Sequence, residues 1–468
     1  MSRIAGLMAL VLSTGIVLLP ARAAAHSDTR PDVRADEQVT IEGGRVQGRR
    51  SDGVLVFKGI PYAAPPVGAL RWRAPQPVPS WQGVREARAY GPDCMQKPFA
   101  TDDAPLTTDP AEDCLYANVW RPADASAPLP VLVWIHGGGF VNGGASPPSY
   151  AGKALARQGV LVFSFNYRLG RFGTFAHPQL GRAGADAGQL GNYGFMDQIA
   201  ALQWLQRNIA AFGGDPTNVT VMGESAGVMS VHALLTSPLA RGLFHKAVIL
   251  SGGQPAARGT LAEAERAGLR FAQSQGIAGD DPQAIVKLRA LPAEAIVGDL
   301  NLATLDASTA AGSYTFPFAD GRVAVDMASA YRDGRFAHVP LMVGATADDI
   351  GGADGFMIAG ARETADLFAS AGQPTWYYRF GYVAQATRPA HPNGAAHASD
   401  IPYFLNTVGI RYGGDTRPAD QAIAATTSAY LINFLRTGNP NSPNLPAWRP
   451  HTSTQDGMLT IGRDGTIN

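Results

Sequence analysis

Two cysteines, Cys94 and Cys114, are all that 468 residues contain. So few exclude a scaffold built on a disulfide framework and a cysteine-built zinc cluster. Nine histidines are scattered along the chain rather than grouped, so no metal-ligand spacing emerges. An excess of charge of one sign is missing too. The 38 basic and 38 acidic side chains cancel, leaving no field to recruit nucleic acid or an anionic membrane surface. Lysine is scarce, with five residues against 33 arginines, a bias that points to a GC-rich bacterial genome. Beyond the N-terminal segment no apolar stretch is long enough to span a bilayer, so no stable membrane anchor is expected.

That N-terminal segment reads as a secretory signal peptide over residues 1–25. Arg3 supplies a positive lead, 4–19 an apolar core, and Ala21-Arg22-Ala23 and Ala23-Ala24-Ala25 two small-residue cleavage sites. No cysteine follows the apolar core, which argues against a lipid anchor. The expectation is an exported protein, periplasmic or secreted, with a polar lead-in over 26–37.

The remaining chain, 46% hydrophobic overall, can bury a large core. Its organising stretch is 212–227, FGGDPTNVTVMGESAG. Residues 219–222 suit a buried strand, Gly223-Glu224-Ser225-Ala226-Gly227 follows at once, and 228–235 begins a helix. Strand, G-x-S-x-G turn and helix make a nucleophile elbow. The turn is tight enough to strain the serine. Glycines on either side let strand and helix pass closely. The helix N-terminus turns free N–H groups and positive partial charge toward a developing oxyanion.

Further apolar runs at 115–120, 130–135, 160–165, 247–250 and 341–345 read as strands of a central sheet buried on both faces. Segments 194–212 and 419–436 are helix-patterned and suited to cover it. Short strands are expected at 39–48 and 54–57. The proline-rich stretch from Pro61 to Pro79 cannot be helix and should wrap the surface.

Several motifs together resemble the type-B carboxylesterase and cholinesterase family. They are the GESAG elbow with Phe212-Gly213-Gly214 upstream, Glu112-Asp113-Cys114-Leu115-Tyr116-Ala117-Asn118-Val119-Trp120, His136-Gly137-Gly138-Gly139-Phe140, Asn192-Tyr193-Gly194-Phe195-Met196-Asp197-Gln198 and Thr437-Gly438-Asn439-Pro440. The resemblance runs from about Val54 to Ile461. It implies an α/β-hydrolase fold, a mostly parallel sheet flanked by helices, as one domain over 26–468. It also implies a serine ester hydrolase that needs neither metal nor organic cofactor, and whose partner is a small-molecule ester. Nothing in the sequence sets the oligomeric state.

The resemblance also assigns roles. Ser225 is the expected nucleophile, with Gly138, Gly139 and Ala226 as oxyanion donors. The order serine, acid, histidine leaves His391, His397 and His451 as possible bases. His397 alone has the family's histidine–x–x–acid context, in His397-Ala398-Ser399-Asp400. Alignment on Gly344 puts the acid at Asp349, where relatives usually carry glutamate, with Asp348 as the alternative. Glu224 and Ser251 are expected to support the histidine and the acid. Arg71 with Glu112, and Asp197, are read as structural. An even cysteine pair in an exported chain favours a Cys94–Cys114 disulfide, as the resemblance implies, against two buried thiols.

Only 48 residues separate Asp349 from His397, and one helix, around 361–371, can be placed between them. A reduced cap and an open cleft are therefore expected, unless 254–318 folds over the opening. That favours broad ester specificity. The alternatives are a lactone or amide hydrolase and a non-catalytic binding protein on the same fold.

Overall fold

The computed structural model describes residues 37–468 except 183–185, 187–189 and 254–258. The signal-peptide assignment to 1–25 lies outside the described residues. Residues 36–468 form one compact unit.

Among the described residues thirteen strands run in chain order: β1 Gln38–Ile41, β2 Gly44–Gln47, β3 Arg49–Ser51, β4 Val54–Pro61, β5 Val84–Glu86, β6 Tyr116–Pro122, β7 Leu129–Ile135, β8 Leu161–Phe165, β9 Gly214–Glu224, β10 Lys246–Leu250, β11 Leu341–Thr346, β12 Thr375–Phe380 and β13 Leu459–Ile461. Three of them make a small sheet in the order β1-β2-β5, and ten make a large one in the order β3-β4-β6-β8-β7-β9-β10-β11-β12-β13. From β8 through β13 every neighbouring pair is parallel; β3, β4 and β6 add an antiparallel edge.

The central strands alternate between two cores. Along β7, Val131, Val133 and Ile135 point into one core, and Leu132 and Trp134 into the other. Helices Tyr193–Asn208, Ala226–Thr236 and Phe356–Ser370 close the first face. Helix Pro418–Thr437 and the short helix Ile401–Phe404 close the second. Burial on both sides explains why these strands read as continuous apolar runs.

Two expectations change. Strand β9 is longer than 219–222: it starts at Gly214, which pairs with Leu129 of β7 ahead of a register shift, and runs on to Glu224. The helix expected at 361–371 spans Phe356–Ser370 and packs Ile358, Ala361, Ala365 and Phe368 into the first core. It is therefore part of the scaffold. A wall comes from elsewhere. Helix Leu261–Ser274, with a Thr260/Glu263 capping box, leads into the short helices Ala284–Arg289, Ala293–Val297 and Leu305–Ala310. Leu302 and Leu305 from this segment crowd Gly139.

Cys94 and Cys114 are joined in a disulfide. Beside it, Arg71 grips Glu112 through Nε and Nη2 and caps the carbonyls of Arg289 and Leu291 through Nη1 at 3.0 and 2.8 Å. Arg168 and Asp197, both buried, form a second two-pronged pair. Cys94→Ser should lower unfolding free energy by about 2–4 kcal/mol, the usual range for a closed loop of this size. Urea unfolding checks this, and an unchanged midpoint would show that the bridge constrains nothing.

Candidate active site

Parallel strands end together, so whatever follows their C-terminal ends is gathered along one edge. Ile135 of β7 pairs with Gly223 of β9, and Leu250 of β10 with Glu224 of β9 and Gly344 of β11. The residues just past those ends are the HGGG loop, Ser225, Ser251 and Asp349.

Ser225 sits at φ 55°, ψ −119°, outside the comfortable regions for a side-chain-bearing residue. It is the cap of helix Ala226–Thr236, whose first N–H groups lack intrahelical partners. The bend has no room for side chains around it. A Cβ on Gly223 would strike the Gly227 backbone, and one on Gly227 would strike the Ile135 carbonyl. One on Gly137 would press on Ser225 Cβ and the Glu224 carboxylate. The HGGG loop thus lies directly against the elbow.

Directions of the loop N–H groups follow from their neighbours. In a trans peptide, C=O and the next N–H point opposite ways. The Gly137 carbonyl accepts from His136 Nδ1 at 2.9 Å, which assigns the proton to Nδ1. Burial holds that imidazole neutral, with its pKa lowered to about 4. The Gly138 carbonyl accepts from Val141 N and Asn142 N at 3.1 and 2.9 Å. The N–H groups of Gly138 and Gly139 therefore turn the other way, at φ 100° and 62°.

His397 Nδ1 lies 2.6 Å from Asp349 Oδ1, and its Nε2 lies 3.1 Å from Glu224 Oε1, one residue before Ser225. Asp349 is buried and accepts from Ile350 N at 2.8 Å, Thr346 N at 3.1 Å and Thr346 Oγ1 at 2.9 Å. Burial works against its charge, but the His397 hydrogen bond, the imidazole charge and the neighbouring donors hold its pKa below the usual carboxylate value. Ser251 is buried at φ 58°, beside Asp349, and contributes to that lowering without a well-aligned hydrogen bond of its own. Asp348, the alternative acid, is half-buried and bridges to the histidine loop through backbone, its N–H donating to Ala395 O at 2.9 Å.

Of the other two histidines, His451 is held by Asp366 at 2.6 Å, and His391 lies in the wall of a small pocket beside His397. A carboxylate with no role assigned from the sequence also belongs here. Asp400 is buried, accepts from Tyr378 OH at 2.9 Å, and is raised to about 7 by burial. Its signal was present as the acid in His397-Ala398-Ser399-Asp400.

The electrostatics centre on one imidazole among three carboxyl groups. Burial pushes Glu224 up to about 8 against the pull of His397. Burial opposes a charge on His397 too, yet Glu224 first and Asp349 next raise it to about 9. The two shifts belong to one coupled pair: the Glu224 charge favours the protonated ring and the ring's charge favours the ionised carboxylate, against the burial of both.

The carboxylesterase family model matches residues 35–353 and 352–468. The chain is 35% identical over 483 residues to para-nitrobenzyl esterase of Bacillus subtilis (strain 168), covering 91% of this chain and 96% of the relative. It is 32% identical over 524 residues to fumonisin B1 esterase of Sphingopyxis macrogoltabida, covering 98% and 92%. Among solved structures, a PNB esterase superposes with a TM-score of 0.79 at 31% identity, covering 92% of this chain and 97% of that one.

Removing the Glu224 charge should lower the His397 pKa, because an anion beside an imidazole favours its protonated form. For Glu224→Gln we expect a fall of about one unit or more, read from the titration of isotope-labelled histidine by NMR. No change, or a rise, would mean that Glu224 carries no charge felt by the ring.

Proposed function

Because this chain belongs to the carboxylesterase family and hydrolyses carboxylic esters, we propose that it works through a Ser225–His397–Asp349 triad and an acyl-enzyme intermediate. The observation that carries this reading is the 2.6 Å contact of His397 Nδ1 with Asp349, on the strand edge that also presents the strained Ser225.

His397 Nε2 takes the Ser225 proton as Oγ attacks the ester carbonyl. Burial of Glu224 favours its neutral carboxyl, and in that form it leaves His397 Nε2 free to accept a proton. The N–H groups of Gly138, Gly139 and Ala226 receive the tetrahedral oxyanion. Two of them are pre-aimed by the hydrogen bonds on their neighbouring carbonyls, so little reorganisation is needed during reaction. His397 then protonates the leaving alcohol, whose bond to carbon breaks, and directs water onto the acyl-enzyme. Asp349 holds the Nδ1 tautomer and stabilises the imidazolium.

On substrate, the reading is a broad-specificity esterase of short or medium acyl chains that accepts bulky aryl or alcohol groups. Two features support it. The long helix between acid and base packs into the core and does not serve as a cap. The wall at Gly139 is two leucines, apolar and without a directional polar group. The para-nitrobenzyl and fumonisin esters named for the two relatives are both bulky. Export to the periplasm or medium is proposed with this function, on the signal-like N-terminus and the disulfide.

Ser225→Ala should abolish ester turnover in a folded protein. Asp349→Asn should reduce kcat by roughly ~10⁴, as loss of the acid does in other triads, and Asp348→Asn far less. Steady-state kinetics on p-nitrophenyl esters of increasing chain length and on bulky aryl esters checks both points. Turnover surviving in Ser225→Ala would contradict the mechanism. A sharp preference for one small ester would contradict the specificity.

A further inference from the structure

The turn that aims the Gly139 N–H is itself held from the disulfide loop. Gln96 stands two residues after Cys94 and is 5% exposed. Its Nε2 donates to the carbonyls of Cys94 at 2.9 Å and Gly143 at 2.6 Å. Its Oε1 accepts from Gly143 N at 2.9 Å and from Asn142 Nδ2 at 3.1 Å. Asn142, 2% exposed, also donates from Nδ2 to Lys97 O at 2.9 Å, and its Oδ1 accepts from Leu302 N at 2.7 Å. The backbone N–H of this same Asn142 holds the Gly138 carbonyl.

We propose that the buried Gln96–Asn142 amide pair is a positioning device for the oxyanion donor Gly139 and, through Leu302, for the apolar wall beside it. The inference rests on the oxyanion reading above. Its physical basis is continuity. The Gly139 N–H points where it does because Asn142 N holds the Gly138 carbonyl on the opposite side of that peptide. Asn142 in turn cannot rotate or retreat while its side chain and the next peptide are clamped by Gln96. Gly138 and Gly139, both at positive φ, have no side chain to hold the loop from within, so restraint must come from outside it. Two fully partnered amides in a buried position define one geometry, where apolar packing would tolerate several. The wall is coupled to the same residue. Leu302, 41% exposed, is fixed by its backbone bond to Asn142 with its side chain against Gly139.

The test separates positioning from general stability. Asn142→Leu and Gln96→Met keep approximate shape and delete the amide bonds from the two sides of the clamp. Each is assayed on a p-nitrophenyl ester and on the matching thionoester. The sulfur of a thionoester accepts hydrogen bonds weakly, so its turnover depends less on the oxyanion donors. With the donor displaced rather than deleted, ester kcat should fall about tenfold, less than the ~10²–10³ for outright loss of a donor. KM should stay within about twofold, and the ester-to-thionoester ratio of kcat/KM should drop severalfold in both variants. Equal proportional losses on the two substrates, or no loss, would overturn the proposal. If either variant loses its cooperative melt, Asn142→Ser, which removes the same Nδ2 donor with a smaller change, takes its place. Failure of the underlying triad reading shows separately, as turnover that survives Ser225→Ala in the same assay.

Discussion

The rest of the site depends on one strained bend. Ser225 is forced to φ 55° between a parallel strand and the helix that leaves it at once. A conformation of this kind costs on the order of 1–3 kcal/mol and persists only where its surroundings leave no alternative. Here they leave none. Strand β9 is buried on both faces, helix Ala226–Thr236 is buried along nearly its whole length, and the HGGG loop presses against the turn from the neighbouring strand end. The strain delivers two things together: a serine raised clear of the sheet edge, and a helix N-terminus directed at the carbonyl it would attack.

Around that bend the fold assembles charge that water would otherwise screen. His397 stands among Asp349, Glu224 and Asp400, each largely removed from solvent. Their environments drive them apart. Asp349, surrounded by donors, stays ionised, whereas Glu224 and Asp400 are pushed toward neutrality by burial. Separation of this sort turns a cluster of like acids into groups of different charge around one ring.

Much of this was legible in the sequence where the signal was local. The elbow is a contiguous strand–turn–helix pattern, and both the buried strands and the HGGG loop carry their physics in a few adjacent residues. Asp349 was legible through its spacing from Gly344, and His397 through the acid three residues on. The wall was less so. Short helices such as Ala293–Val297 and Leu305–Ala310 show too few turns for periodicity to register. The helix Phe356–Ser370 displays an apolar face that suits a cap as well as a core, and only packing decides between them. Gln96 with Asn142, and Tyr378 with Asp400, are pairings between distant segments, which no local pattern announces. The β9 extension back to Gly214 went against strand propensity and came from Gly214 pairing with Leu129 of β7 across a register shift.

The central claim, that Ser225 becomes acylated because the bend and the His397–Asp349 contact make it a nucleophile, is tested most directly by catching the intermediate. Rapid mixing with excess p-nitrophenyl ester should give a burst of p-nitrophenol stoichiometric with enzyme. Acid quenching followed by peptide mass mapping should place the acyl group on the peptide containing GESAG, at Ser225. An acyl group found on another residue, or turnover with neither burst nor adduct under conditions where deacylation limits the rate, would contradict the account.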